Sequence, residues 1–178
     1  MEFNKTNIPG LFLITPFSQK DERGTFVKTY HKNDFEAHGL KAGFRESYYS
    51  ESVRGVIRGM HFQLPPHQHI KLVYATAGKV LDVVVDLRKG SPTFKQFQSF
   101  SLSAENKMML YIPEGLAHGF CVVSENATMV YCTGTEYDKE SDAGIHYDSF
   151  GFHWPVKQPI LSARDKSFAG LDEFDSPF

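Results

Sequence analysis

Ten short runs rich in Val, Phe, Tyr and Thr divide this chain, each bounded by Gly, Pro or polar residues. Branched and aromatic side chains suit the pleated, half-buried surface of a sheet. The pattern therefore predicts strands over residues 11–15, 25–30, 44–50, 56–63, 72–76, 79–87, 97–102, 108–112, 119–123 and 128–133. Turn-forming residues separate several of them, at Ala77-Gly78, Lys89-Gly90-Ser91-Pro92 and Pro113-Glu114-Gly115. Helical periodicity is weak. One short helix is expected over 33–38 with Asn33 as its cap. Another is expected after Ser162, where Ser162-Ala163-Arg164-Asp165 follows a capping box with Asp in place of Glu. Many short antiparallel strands joined by turns give an all-β class, and the expected architecture is a jelly-roll β-sandwich barrel with a few short helices.

At 178 residues, 41% of them hydrophobic and 14% aromatic, the chain can bury one substantial core. Gly and Pro are scattered as punctuation and no repeat interrupts them, so residues 1–178 read as one domain. Nineteen basic against twenty-one acidic residues leave a formal charge of -2. That gives no electrostatic footprint for a nucleic acid, while a small anion remains a possible ligand. The N-terminus has no basic start followed by an apolar stretch, and no window approaches the roughly eighteen apolar residues of a membrane span. A soluble, cytoplasmic protein without a membrane partner is expected. Cys121 and Cys132 lack Cys-x-x-Cys spacing and sit in apolar runs, so buried free thiols are expected.

Two stretches carry candidate chemistry: Arg58-Gly59-Met60-His61-Phe62-Gln63 and Pro113-Glu114-Gly115-Leu116-Ala117-His118-Gly119-Phe120. Each sets one histidine among small and aromatic residues on a strand. They read as two walls of one pocket, in which imidazole could exchange protons with a bound anion, or as two half-buried core histidines. Pro66-His67-Gln68-His69 before Gly78, with Pro113-x-Gly115-x-x-His118 later, resembles the two signature motifs of cupins, which are jelly-roll barrels. Many cupins bind a metal through such histidines and a Glu between them. Here the position seven before Gly78 is Lys71, and an inward ammonium would oppose a divalent cation. No metal is expected, and His67 and His69 are expected to be solvent-facing loop residues.

A lysine inside an apolar barrel needs a compensating interaction, because an unpaired buried charge is costly. Two fit: an ion pair with Asp82, or stabilisation of negative charge on a substrate. Tyr131 interrupts the run Met129-Val130-Tyr131-Cys132 with a phenol that could donate a proton or bond a backbone carbonyl. Spacing alone pairs nothing with Asp165.

The chain resembles the dTDP-4-dehydrorhamnose 3,5-epimerase family, metal-free cupins acting on nucleotide sugars. The resemblance spans nearly the whole sequence. It is carried by Asp21-Glu22-Arg23-Gly24, Arg58-Gly59-Met60-His61-Phe62-Gln63, Lys71-Leu72-Val73, Asp82-Val83-Val84-Val85-Asp86, Gly90-Ser91-Pro92-Thr93-Phe94, Leu102-Ser103-Ala104-Glu105-Asn106, residues 112–120, Trp154-Pro155 and Pro159-Ile160-Leu161-Ser162. It implies epimerisation at C3, C5 or both of a nucleoside-diphospho 4-keto-6-deoxyhexose, for deoxysugar and cell-surface polysaccharide biosynthesis. The C4 carbonyl acidifies the neighbouring protons, so base, acid and enolate stabilisation suffice without a cofactor.

By that resemblance His61 is the base, Asp165 orients it, Lys71 offsets the enolate charge and Tyr131 is the proton donor on the opposite face. Arg23, Arg58 and Arg164 match positions that hold substrate or diphosphate, where a guanidinium fork suits phosphate. Phe26, Gln63 and His118 match positions lining the pocket, Tyr137 an aromatic that stacks on the base, and Asp142 the same nucleotide end. A homodimer is implied, with N-terminal strands exchanged so that Arg23 and Phe26 complete the neighbour's pocket. The chain departs from the family pattern at Lys28, where a Glu is usual, and at Glu46-Ser47-Tyr48, where Gln-x-Asn is usual; Glu136 replaces a frequent Tyr. Glu46 and Tyr48 are thus substrate-binding candidates that could alter nucleotide preference. Competing readings are a C3-only epimerase on another nucleotide sugar, a non-catalytic sugar-nucleotide-binding cupin, and a metal-dependent oxygenase using His67, His69 and His118.

Overall fold

Residues 1–178 are described by a computed structural model in which the central strands are buried on both faces and the peripheral ones are largely exposed. The chain opens with β1 (Glu2–Lys5), β2 (Phe12–Thr15), a hairpin of β3 (Phe17–Asp21) and β4 (Gly24–Lys28), and helix α1 (Lys32–Ala37). Then come β5 (Glu46–Val53), β6 (Ile57–Gln63), the sixteen-residue β7 (Lys71–Asp86), β8 (Phe97–Ser103) and β9 (Met109–Ile112). The eighteen-residue β10 (Leu116–Thr133), β11 (Asp142–Gly144), α2 (Ala163–Ser167) and a 3-10 turn at Leu171–Glu173 complete it.

The architecture is set by β7 and β10, which pair antiparallel along both their halves, from Lys71↔Thr133 to Asp86↔Leu116. The first half of β7 takes β9, while its second half takes β8. The last half of β10 takes β5 and its first half takes β6. One layer is thus β1-β2-β9-β7-β10-β5 and the other is β8-β7-β10-β6-β11, with the two long strands crossing between them. This is a sandwich closed along a shared pair of strands, an all-β, cupin-like barrel.

Strand alternation fills both faces of these layers. On β7, Val73, Ala75, Val80 and Val84 point into the inter-sheet core with Leu110, Phe120, Met129 and others. Their neighbours Leu72, Val83 and Val85 point outward. Leu72 packs under α1 with Phe35 and Tyr111, and Val83 and Val85 lie under the C-terminal segment with Met60, Phe62, Ile145 and Leu171. No helix is long and apolar enough to cross a membrane.

Several sequence expectations change. Ala77-Gly78 does not end a strand: Gly78 takes φ +68, which bends β7 without breaking it, and β10 slips register opposite between Val122 and Ala127. Two pairs of expected strands are therefore two bent ones. β1, β3 and β11 were not expected, since they are short and largely polar and owe their strand state to pairing. Helix α1 starts one residue early, and its cap position is His31, not Asn33, with no side-chain cap bond. At α2 the expected cap forms, Asp165 N–H donating to Ser162 Oγ at 3.0 Å. Cys121 is buried and Cys132 is partly exposed; both are free.

Candidate active site

The alternation that fills the core continues past it into a cavity of ≈ 450 Å³ at one end of the barrel. On β7, Lys71 follows the inward parity of Val73 and Ala75. On β10, Tyr131 and Thr133 follow Met129, and His118 precedes Phe120 and Val122. On β6, Met60 and Phe62 face outward into their own core, so His61 and Gln63 face inward. The register fixes neighbours: His118 lies directly opposite His61, Thr133 lies between Lys71 and Glu46, and Tyr131 lies between Val73 and Tyr48.

The two motif glycines allow β6 and β10 to come this close. A side chain on Gly59 would place its Cβ 2.5 Å from Gly119 Cα, so neither strand tolerates a bulkier residue there. The histidines are consequently held side by side, each with its own carboxylate. His61 Nε2 lies 2.8 Å from Asp165 Oδ1, and His118 Nε2 lies 2.8 Å from Asp82 Oδ2.

Asp165 is buried on α2, behind His61, and its second oxygen accepts the Gly59 N–H at 3.5 Å. Burial raises the Asp165 pKa, but hydrogen bonds from His61, Ser162 and Gly59 outweigh it and hold the carboxyl below its ordinary value. An ionised Asp165 accepts the Nε2 proton, which leaves Nδ1 of His61 as the free base with no protein partner. Burial lowers the His61 pKa, with Asp165 opposing and Lys71 and Arg164 assisting, so the ring is neutral near pH 7.

Lys71 is buried, and its Nζ donates to His61 O at 3.0 Å. No carboxylate oxygen lies within 4.0 Å of that nitrogen. The expected alternative of an ion pair with Asp82 is therefore not formed: Asp82 bonds His118 through Oδ2, and its Oδ1 has no hydrogen-bond partner. Desolvation lowers the Lys71 pKa to about 8, with Asp142 and Asp82 opposing. An ammonium without a counter-ion thus faces the cavity from beside His61.

Tyr131 is buried, its hydroxyl 3.4 Å from Ser50 Oγ, and desolvation raises its pKa far above the ordinary phenol value. At the cavity mouth Arg164 donates to Asp142 at 2.7 Å and Tyr137 OH donates to Asp142 at 3.3 Å. Arg58 is held by Ser52 Oγ and the Glu51 carbonyl.

The sequence profile of the dTDP-4-dehydrorhamnose 3,5-epimerase family matches residues 5–173. This chain belongs to that family. It is 44% identical to the dTDP-4-dehydrorhamnose 3,5-epimerase of Shigella flexneri over 98% of this chain and 99% of that one. It is 38% identical to a dTDP-4-dehydrorhamnose 3-epimerase of Streptomyces niveus, over 97% and 85%. Among solved structures, the Legionella pneumophila dTDP-6-deoxy-D-glucose-3,5-epimerase in complex with dTDP-4-keto-L-rhamnose superposes with TM-score 0.93 at 38% identity, covering 98% of this chain and 94% of that one.

Of the residues expected at an epimerase site, His61, Lys71, Tyr131, Glu46, Tyr48, Arg58, Gln63, His118, Tyr137, Asp142 and Arg164 line the cavity, and Asp165 stands behind His61. Arg23 and Phe26 do not. Both are on the β3–β4 hairpin, which forms its own two-stranded sheet, and Phe26 is 59% exposed. Gln63 is committed to the protein: its amide donates to His67 O at 2.8 Å and accepts Asp138 N–H at 2.7 Å, fastening two loops. His69 is not solvent-facing as expected; it lines the cavity and bonds Thr135 at 3.0 Å, and burial lowers its pKa to about 3. His67 is exposed. No group of three His, Cys, Asp or Glu side chains is gathered in a way that could hold a metal ion.

The departures from the family pattern also find places. Glu46 accepts Tyr137 N–H at 2.7 Å, so its charge anchors the loop carrying that ring. Tyr48 stacks on Tyr131, ring centroids 4.7 Å apart and planes 16° from parallel. Lys28 ends the exposed hairpin. Ser50 and Thr133 also line the cavity, each two residues beyond an expected site residue, where the alternation of a strand puts it on the same face.

Proposed function

We propose that this chain is an isomerase that inverts C3 and C5 of a nucleoside-diphospho 4-keto-6-deoxyhexose of the dTDP-4-dehydro-6-deoxyglucose type, in deoxysugar and cell-surface polysaccharide biosynthesis. The observation that carries the reading is the pairing of a carboxylate-oriented neutral imidazole with an uncompensated buried ammonium in one cavity. His61 Nδ1 removes the proton next to the C4 carbonyl, and Asp165 stabilises the imidazolium that results. The electron pair moves onto the C4 oxygen, where the buried Lys71 ammonium stabilises the enolate. Tyr131 returns a proton to the carbon from the other side; the His61 imidazolium then releases its proton to solvent and the Tyr131 phenolate takes one up, which resets both groups. Repeating the cycle at the second carbon completes the product. Proton traffic of this kind requires no cofactor.

Arg58 and Arg164 bind the diphosphate and Tyr137 stacks on the base. The protein works in the cytoplasm as a homodimer of single-domain chains. Support for the dimer is that the β3–β4 hairpin shares no sheet hydrogen bonds with the rest of its chain and exposes Phe17 and Phe26. A neighbouring cavity would cover those rings and receive Arg23. A C3-only activity is the second reading, since a relative 38% identical is named a 3-epimerase, while the 44% identity to a 3,5-epimerase supports the first.

Incubation with dTDP-4-dehydro-6-deoxyglucose in deuterated water tests the proposal. Label at C3 and C5 is expected; label at C3 alone supports the second reading, and no label at either carbon refutes both. Thermal-shift titration with dTDP, UDP, CDP and GDP tests the base: the greatest stabilisation is expected from dTDP, and a greater one from another nucleotide transfers the activity to that nucleotide.

A further inference from the structure

Tyr48 belongs to the edge strand β5, directly opposite Tyr131 on β10, and its ring lies face to face with the Tyr131 ring at 4.7 Å and 16°. Tyr131 packs at the end of the inter-sheet core, and its hydroxyl is only weakly held. Its hydroxyl makes one long contact, 3.4 Å to Ser50 Oγ, and its other aromatic neighbour, His118, meets it edge-on with centroids 6.3 Å apart. The Tyr48 hydroxyl has no protein partner, and the side chain is 45% exposed at the cavity mouth. A half-exposed phenol whose hydroxyl is unbound contributes chiefly through its ring. Directly opposed aromatic residues on neighbouring strands restrain one another's side-chain rotation.

We propose that Tyr48 is a positioning residue that holds the Tyr131 phenol in the orientation from which it delivers its proton to C5. The inference rests on the epimerase reading above. The His61 imidazole is fixed by Asp165 independently of this stack, so removing the Tyr48 ring leaves proton abstraction untouched and loosens only the return of the proton. C5 is the carbon that registers this: under the proposal C5 is inverted second, so its label requires two deliveries by Tyr131 and the C3 label only one. The Tyr48 hydroxyl plays no part, so a phenylalanine serves as well.

The test is the ratio of deuterium at C5 to deuterium at C3, read by NMR from the same product molecules for the unmodified protein, Tyr48→Phe and Tyr48→Ala. Any uniform change in substrate binding cancels in that ratio. Tyr48→Phe is expected to keep the ratio, while Tyr48→Ala is expected to lower it about tenfold, the order of one aromatic pair's worth of orientation. Thermal melting of each variant reports folding, and Tyr131→Phe gives the ratio with no donor. An unchanged ratio in Tyr48→Ala overturns the inference, as does an equal fall in Tyr48→Phe, which would assign the effect to the hydroxyl. Label at C3 alone in the unmodified protein overturns it and leaves an epimerase; no label at all overturns the epimerase reading and the inference with it.

Discussion

Replacing Lys71 by methionine is expected to stabilise the protein and nearly abolish its activity. The side chain is buried and its ammonium has one hydrogen bond, to His61 O, and no counter-ion. Burial moves its pKa from 10.5 to about 8. At about 1.4 kcal/mol per unit, keeping the charge at pH 7 costs the folded state about 3 kcal/mol. Methionine fills nearly the same volume without that charge, and losing the hydrogen bond returns about 1 kcal/mol of the gain. The net is about 2 kcal/mol, or about 4–8 °C in melting temperature for a chain of this size. The sign follows from proton linkage. Below pH 8 both states hold the proton and the penalty is complete; between pH 8 and 10.5 the unfolded chain holds a proton the folded one has released, so the penalty fades. Melting curves at pH 7 and pH 10 should therefore show Lys71→Met ahead at pH 7 and the gap closing at pH 10. Exchange into the substrate in deuterated water should fall about 10²–10³-fold, as for loss of one oxyanion donor. A variant that melts lower at pH 7 would refute the energetic argument, and one that exchanges at the normal rate would refute the charge-stabilising role.

The remaining expectations concern the dyad, the pH profile and the dimer. Asp165→Asn should lower exchange about 10³-fold with KM little changed, because the amide can donate to Nε2 and reverse the tautomer. The stability that Asp165 contributes is present above its unfolded-state pKa and lost as pH falls through its depressed folded value, so acid melting curves of Asp165→Asn should converge with those of the unmodified protein at low pH. The pH dependence of kcat/KM should be bell-shaped, rising below pH 6.5 as His61 loses its proton and falling near pH 8 as Lys71 loses its own; Lys71→Arg should shift only the falling limb upward. If the hairpin completes the neighbour's site, co-expressed Arg23→Ala and His61→Ala chains should regain about a quarter of normal activity, since only one site in each mixed dimer is whole. No recovery would place Arg23 outside the partner's cavity.

Much of this molecule is legible along the chain. Alternating Val, Phe, Tyr and Thr specify strands because the pleat has a period of two, and the same period assigns His61, His118, Lys71 and Tyr131 to inward faces once one neighbour is known to be core. Ser162 announces α2 because its hydroxyl satisfies a backbone N–H locally. The likeness to the epimerase family rests on ordered motifs that the sequence itself displays.

What the sequence could not determine are the outcomes settled by contacts between distant segments. Whether Gly78 turns the chain or merely bends a strand depends on β10 continuing alongside it. Whether Lys71 is paired depends on where the closed sheets set Asp82, which bonds His118, a residue more than thirty positions away, and not Lys71. Asp165 reaches His61 across 104 residues because a short helix docks behind β6. Tyr48 reads as a nucleotide-end substitution until register sets it against Tyr131. Local propensity and alternation are written in neighbouring residues, whereas pairing, burial and the charge balance of a cavity are properties of surfaces that exist only after the sheets close.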